Sequence, residues 1–241
     1  MPRRLPVLLV LGVAAAVTGG ACRPAPPPRS GDATSRDSAE PAGANPIDSV
    51  RAARAAVLRQ IAAADTYLPA ALSEGDSVLK RWPQRLEHPL LIYLPEPAVI
   101  GYRPELGQAA RDAFGRWQRV GDIPVTFRFV RDSAGADVVV RWVHEFPMAR
   151  AGQADIRWRG DGWIQSATLT LATAYPGGAW LSPEAVHTVA MHEIGHLLGL
   201  GHSDHPRDVM FPTTAVHDIT PRDRRTVRLL YAVPPGSLRL P

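Results

Sequence analysis

Between Ala190 and Ser203 the chain reads AMHEIGHLLGLGHS. His192 and His196 are four residues apart, so on a helix both imidazoles leave one face and offer two nitrogens to one point. Zinc–nitrogen bonds of about 2.0–2.1 Å suit such a pair. Glu193 is turned roughly 100° around the helix from His192. It can reach a metal-bound water without being a ligand, which is the placement of a general base. Gly199 lets the chain leave the helix, and His202, three residues on, can turn back as a third nitrogen ligand. Three protein ligands leave a fourth place for water, as catalytic zinc requires. A purely structural metal site would need no spare carboxylate beside an open position, so Glu193 favours catalysis. His205 is the weaker alternative for the third ligand. His187, five residues before His192, points elsewhere on the helix.

These groups need a helix with defined ends. Ser182 is suited to cap it, Pro183 to its first position, and Glu184 to its positive end. The expected helix runs to about Leu198. A last helix starts at Thr220–Pro221 with a capping box in which Asp223 takes the glutamate role, and Pro234–Pro235 end it. Arg222, Arg224, Arg225 and Arg228 on that helix read as a solvated face, with contact to acidic groups as the alternative.

Upstream, Leu106, Ala110, Ala113, Phe114, Trp117 and Val120 recur at helical spacing after Pro104. Strands are expected at 88–94, 125–130, 136–143 and 162–172; in the last, Ile164, Ala167, Leu169 and Leu171 are only roughly in phase. The compact domain is expected from 81 to 232, with a tail at 233–241. Residues 47–80 carry a weak, alanine-rich helical pattern and read as a helical linker or prosegment, with a packing appendage or a stalk as the alternatives. Residues 22–46 hold no aromatic or β-branched aliphatic side chain and read as a tether.

The first 21 residues have the form of a secretory signal: Arg3 and Arg4, an apolar run from Leu5 to Val17, then small residues before Cys22. Cys22 at that exit resembles the lipidated cysteine of a bacterial lipoprotein, although Gly19 stands where leucine is preferred. The expected location is extracytoplasmic, lipid-anchored to a membrane or secreted. The 241 residues allow one domain with appendages, and one cysteine excludes an intramolecular disulfide. A net charge of +4 is too small and dispersed to argue for nucleic acid. Nothing in the chain indicates an oligomeric state.

His192, Glu193, His196, Gly199 and His202 resemble the long zinc motif of the metzincin metallopeptidases. Ser203 and Met210–Phe211–Pro212 are similar to the matrixin branch, of bacterial type. The resemblance implies an α+β, α/β-like fold: a twisted mixed sheet, mostly parallel, with a central active-site helix and a C-terminal helix. It implies that Met210 forms a Met-turn below the histidines. It also implies an antiparallel edge strand, assigned to 164–171, that pairs with an extended substrate. The function it implies is a zinc metalloendopeptidase with one catalytic Zn2+, Glu193 as base and a protein or peptide as substrate. The alternatives are a non-catalytic exported zinc-stabilised binding module and a processing protease restricted to itself or one partner. His144 is a poor match for a second zinc ligand. Asp155 and Asp161 leave calcium allowed but unsupported. The zinc-blocking prodomain cysteine of animal relatives has no counterpart, because Cys22 lies at the signal exit.

Overall fold

The computed structural model describes residues 45–238 except 75–76 and 121–122. The signal, Cys22 and nearly all of the tether lie outside the described residues.

Two helices, α1 (Pro46–Ala63) and α2 (Leu68–Glu74), precede a two-residue strand, β1 (Val78–Leu79). The single helical pattern expected over 47–80 is thus broken, at residues 64–67. The domain continues with β2 (Arg85–Tyr93), α3 (Pro104–Val120), β3 (Val125–Val130) and β4 (Val138–Val143). Then come β5 (Gly152–Trp158), β6 (Ile164–Ala172), α4 (Pro183–Leu197), α5 (Pro221–Ala232) and β7 (Gly236–Ser237). This is a mixed α/β fold with a C-terminal helix, as the resemblance implies.

The main sheet has the order β3-β2-β4-β6-β5. Its β2–β3, β2–β4 and β4–β6 pairs are parallel, and β5–β6 is antiparallel. The antiparallel edge is therefore β5 and not 164–171, which lies one strand in. β5 escapes a search for apolar alternation because its inward residues begin with Gly152 and Ala154, while Asp155 and Arg157 interrupt the run. The imperfect phase of β6 also has a cause. Arg157 pairs with Ser166 but Trp158 pairs with Ile164, so Gln165 is an extra residue at a bulge.

α3 lays Leu106, Ala110, Ala113, Phe114 and Trp117 into the core, where it packs against α4. The Trp117 indole donates to the Met191 carbonyl at 2.8 Å, and the Trp82 indole to the Leu197 carbonyl at 2.7 Å. Both tie α4 in place. Eleven of the 15 residues of α4 are buried, so this helix is covered nearly all round rather than along one stripe. The core also takes in Ile61, Tyr67, Leu68 and Leu79 from upstream of residue 81. β1 pairs antiparallel with β7. No helix among the described residues is long and apolar enough to cross a membrane.

Candidate metal centre

Ser182 accepts from the Ala185 amide and Pro183 opens α4, as its sequence requires. At the other end Leu198 is the cap and Gly199 has φ 99°, the left-handed turn that favours glycine. The Gly199 amide bonds to the His196 carbonyl and the Leu200 amide to Gly195, a paired closure of the helix end. A side chain at Gly199 would also strike the Lys80 carbonyl.

His192, His196 and His202 converge, their ligand nitrogens all within 4.8 Å of one another. Among the described residues they form the one group of histidine, cysteine, aspartate or glutamate atoms able to share an ion. His192 Nδ1 lies 2.8 Å from the Val209 carbonyl, and His196 Nδ1 2.8 Å from the Leu200 carbonyl. A carbonyl only accepts, so each Nδ1 carries the proton and each Nε2 presents a lone pair. Those two Nε2 atoms are 3.0 Å apart. Two lone pairs so close repel unless a cation lies between them, so the donor set fits a metal ion. Burial favours the neutral imidazoles that a metal needs. It lowers His192 well below its ordinary value, with the His196 charge acting in the same direction. It takes His196 down to about 3, helped by the His202 charge.

Glu193 is only 1% exposed, and neither carboxylate oxygen has a hydrogen bond of normal geometry. Burial pushes its pKa up to about 8; the Ala154 amide and Arg150 offset this in part, and Asp155 adds to it. Gly152 of β5 makes room for the carboxylate. A Cβ there would lie 2.5 Å from Val189 Cγ1 and 2.7 Å from Glu193 Cγ.

Met210 is fully buried and its thioether packs on Gly195, where a Cβ would collide with Sδ. A polar network holds the loop between His202 and Met210. The Ser203 amide donates to the Met210 carbonyl at 2.9 Å, and the Ser203 hydroxyl to Asp208 at 2.5 Å. Arg222 donates to Asp208 at 2.8 Å and to Asp204 at 2.7 Å, so it is not part of a solvated face. Asp223 accepts from the Val209 amide at 3.1 Å and the Thr220 amide at 2.9 Å, completing the expected capping box. Sequence reasoning missed Asp208, and for Arg222 the contact to acidic groups holds in place of the solvated face. The two are 14 residues apart, and no local spacing relates them.

The other candidates are elsewhere. His205 is exposed and accepts from the Arg207 amide. His144 stacks at a tilt on Trp180, with ring centroids 5.3 Å apart. Asp155 receives the Gln153 amide and Asp161 pairs with Arg159 at 2.7 Å.

The family description Matrixin matches residues 101–232, more than half of the chain. The chain belongs to the matrixin family. Over 155 residues this matrixin is 36% identical to metalloendoproteinase 1-MMP of Arabidopsis thaliana, covering 54% of the chain and 38% of the plant protein. Over 161 residues it is 46% identical to matrilysin of Felis catus, covering 55% and 56% respectively. Metalloendoproteinase 1 of Glycine max is 42% identical over 82 residues, covering 30% and 23%. The match thus spans about half of the cat protein and less of the plant proteins. His192, His196 and His202 of this matrixin form a single site suited to one Zn2+.

Proposed function

We propose that this matrixin is an extracytoplasmic zinc metalloendopeptidase. The observation that carries the reading is the buried Glu193 carboxylate, free of ordinary hydrogen bonds, next to three converging histidines. His192, His196 and His202 would hold the ion. Zinc, when bound, polarises a carbonyl and lowers the pKa of a coordinated water. Glu193 takes the proton of the attacking water onto a carboxylate oxygen and delivers it to the leaving amine. Its burial, which raises its affinity for a proton, suits holding that proton between the two transfers, and a bound cation would favour the carboxylate form that accepts it. Met210, packed on Gly195, acts as the Met-turn that fixes the floor of the site.

β5 is the antiparallel edge of the sheet and lies against α4 at Glu193, which supports pairing of an extended peptide along it. The substrate is then a protein or peptide bound as an added strand. The start of the chain supports export as a lipoprotein of bacterial type, with Cys22 acylated and residues 22–46 as a tether. Plain secretion predicts a mature chain without lipid mass.

The test is hydrolysis of a broad peptide library by the zinc-loaded protein, repeated with a chelator and again after zinc is restored. Cleavage that is lost and regained with zinc is expected. No cleavage by a folded, zinc-replete protein would refute the reading.

A further inference from the structure

The stretch upstream of residue 81 is built into the back of the loop that carries His202. Tyr67 is completely buried, and its hydroxyl donates to Asp223 at 3.1 Å. Asp223 in turn accepts from the Val209 amide, and the Val209 carbonyl receives His192 Nδ1. A phenol on the upstream stretch is therefore linked to a metal ligand through one carboxylate and the backbone of one residue, Val209. The Tyr67 amide also donates to Thr226, and Arg225 bonds both the Asp65 carbonyl and its carboxylate.

A second set of contacts falls on the loop itself. Ala71 of α2 lies against Gly201, the residue before His202; a Cβ at Gly201 would be 2.6 Å from the Ala71 Cβ. The Lys80 carbonyl lies against Gly199. Two glycines of the loop thus have no room for a side chain because the upstream stretch occupies it. Residues 45–80 contain no histidine or cysteine that could block a metal. What they offer this site is packing from the backbone side.

We propose that residues 61–74, together with β1, are a permanent strap of the catalytic domain and not a removable prosegment, with Tyr67 and Ala71 as positioning residues for the metal-binding loop. This rests on the peptidase reading only for its kinetic test. Tyr67 sets the Val209 backbone through Asp223, and Ala71 sets the height of the Gly201–His202 backbone.

The experiment uses the full chain loaded with zinc. Tyr67→Phe, Ala71→Leu and, as a remote control, Val50→Ala on the exposed side of α1 are compared. The readouts are zinc release to a colorimetric chelator, kcat and KM on a peptide, and circular dichroism. Ala71→Leu should speed zinc release about tenfold and lower kcat with KM little changed. Tyr67→Phe should speed release about threefold with an unaltered dichroism spectrum. Val50→Ala should stay within about twofold of the parent. If Ala71→Leu does not fold, Tyr67→Phe decides. Parent-like zinc release in the folded strap variants overturns the proposal, as does a fully active mature enzyme whose N-terminus lies beyond residue 80. If the parent cleaves no peptide but zinc release shifts as stated, the peptidase reading fails and the strap stands.

Discussion

The metal site has a helical half and a loop half, and they are held by different means. His192 and His196 project from a capped helix that is covered nearly all round, so helical periodicity alone sets their spacing. His202 has no such template. Its loop is held by Ser203, Asp208, Arg222, Thr220 and Asp223, with Ala71 behind it. A ligand pair on one helix takes its spacing from the helix, and the Val209 and Leu200 carbonyls only orient the rings. A ligand on a loop draws support from parts of the chain distant in sequence, and damage to those parts should reach the metal.

Removing the loop ligand tests the division most severely. His202→Ala should weaken zinc binding by at least about a hundredfold and abolish peptidase activity, because only the helical pair remains. It should also lower thermal stability, since metal binding is linked to folding. His205→Ala, two residues beyond Ser203, should keep its zinc. Elemental analysis after dialysis, with melting curves in and out of chelator, separates the two. Zinc retained in the first and lost in the second would reverse the ligand assignment.

Glu193→Gln should act on the helical half without touching the metal. Peptide hydrolysis should fall by about a hundredfold or more while zinc stays near one per chain. Activity within about threefold of the parent would remove Glu193 from the base role.

Two Arg–Asp pairs sharpen the comparison. Asp208 is nearly buried beneath the loop, whereas Arg116–Asp218 lies at the surface, its side chains 38% and 54% exposed. Asp208→Asn should cost about 3 kcal/mol, because Arg222 loses its buried counter-charge, and zinc release should quicken. Asp218→Asn should cost less than about 1 kcal/mol. Chemical denaturation measures both; equal losses would mean that the loop network carries no special weight.

The smallest effect is expected where α4 meets the end of the loop. Burial lowers His187 below its ordinary 6.5; Asp112 and Asp218 oppose this, while His217 and Arg116 reinforce it. The unfolded chain then binds this proton more readily than the folded one. The stability involved is present above 6.5 and is lost as pH falls from there through the folded value. His187→Gln should gain on the parent by about 2 °C or less as pH falls from about 7 to about 5, with no gain above that range. A gain that is independent of pH would point to packing instead.

The same division decided what could be read in advance. The active-site helix, its caps, its three metal ligands and the α3 stripe are legible because each is a local pattern of period 3.6 or a short motif. β5 was not, since its core-facing positions begin with Gly152 and Ala154, chosen for closeness to α4 rather than for hydrophobicity. The apolar pattern of 164–171 therefore draws the edge assignment to β6. Asp208 carries no signal in the sequence and Arg222 reads as part of a solvated face, because burial and partners are properties of the folded chain. Tyr67 and Ala71 sit in a stretch whose weak helical pattern allows a packing appendage but does not single out which residues dock.

β5 leaves one side of its backbone without a strand partner among the described residues. Any extended chain can add to such a side, including another copy of the same protein, so the feature that suits a peptide substrate also invites self-association. Asp155 and Arg157 stand on this strand, and charged side chains on an open edge disfavour its burial against the edge of a second sheet. The residues that made β5 hard to recognise as a strand therefore also guard the protein against aggregation along its open edge.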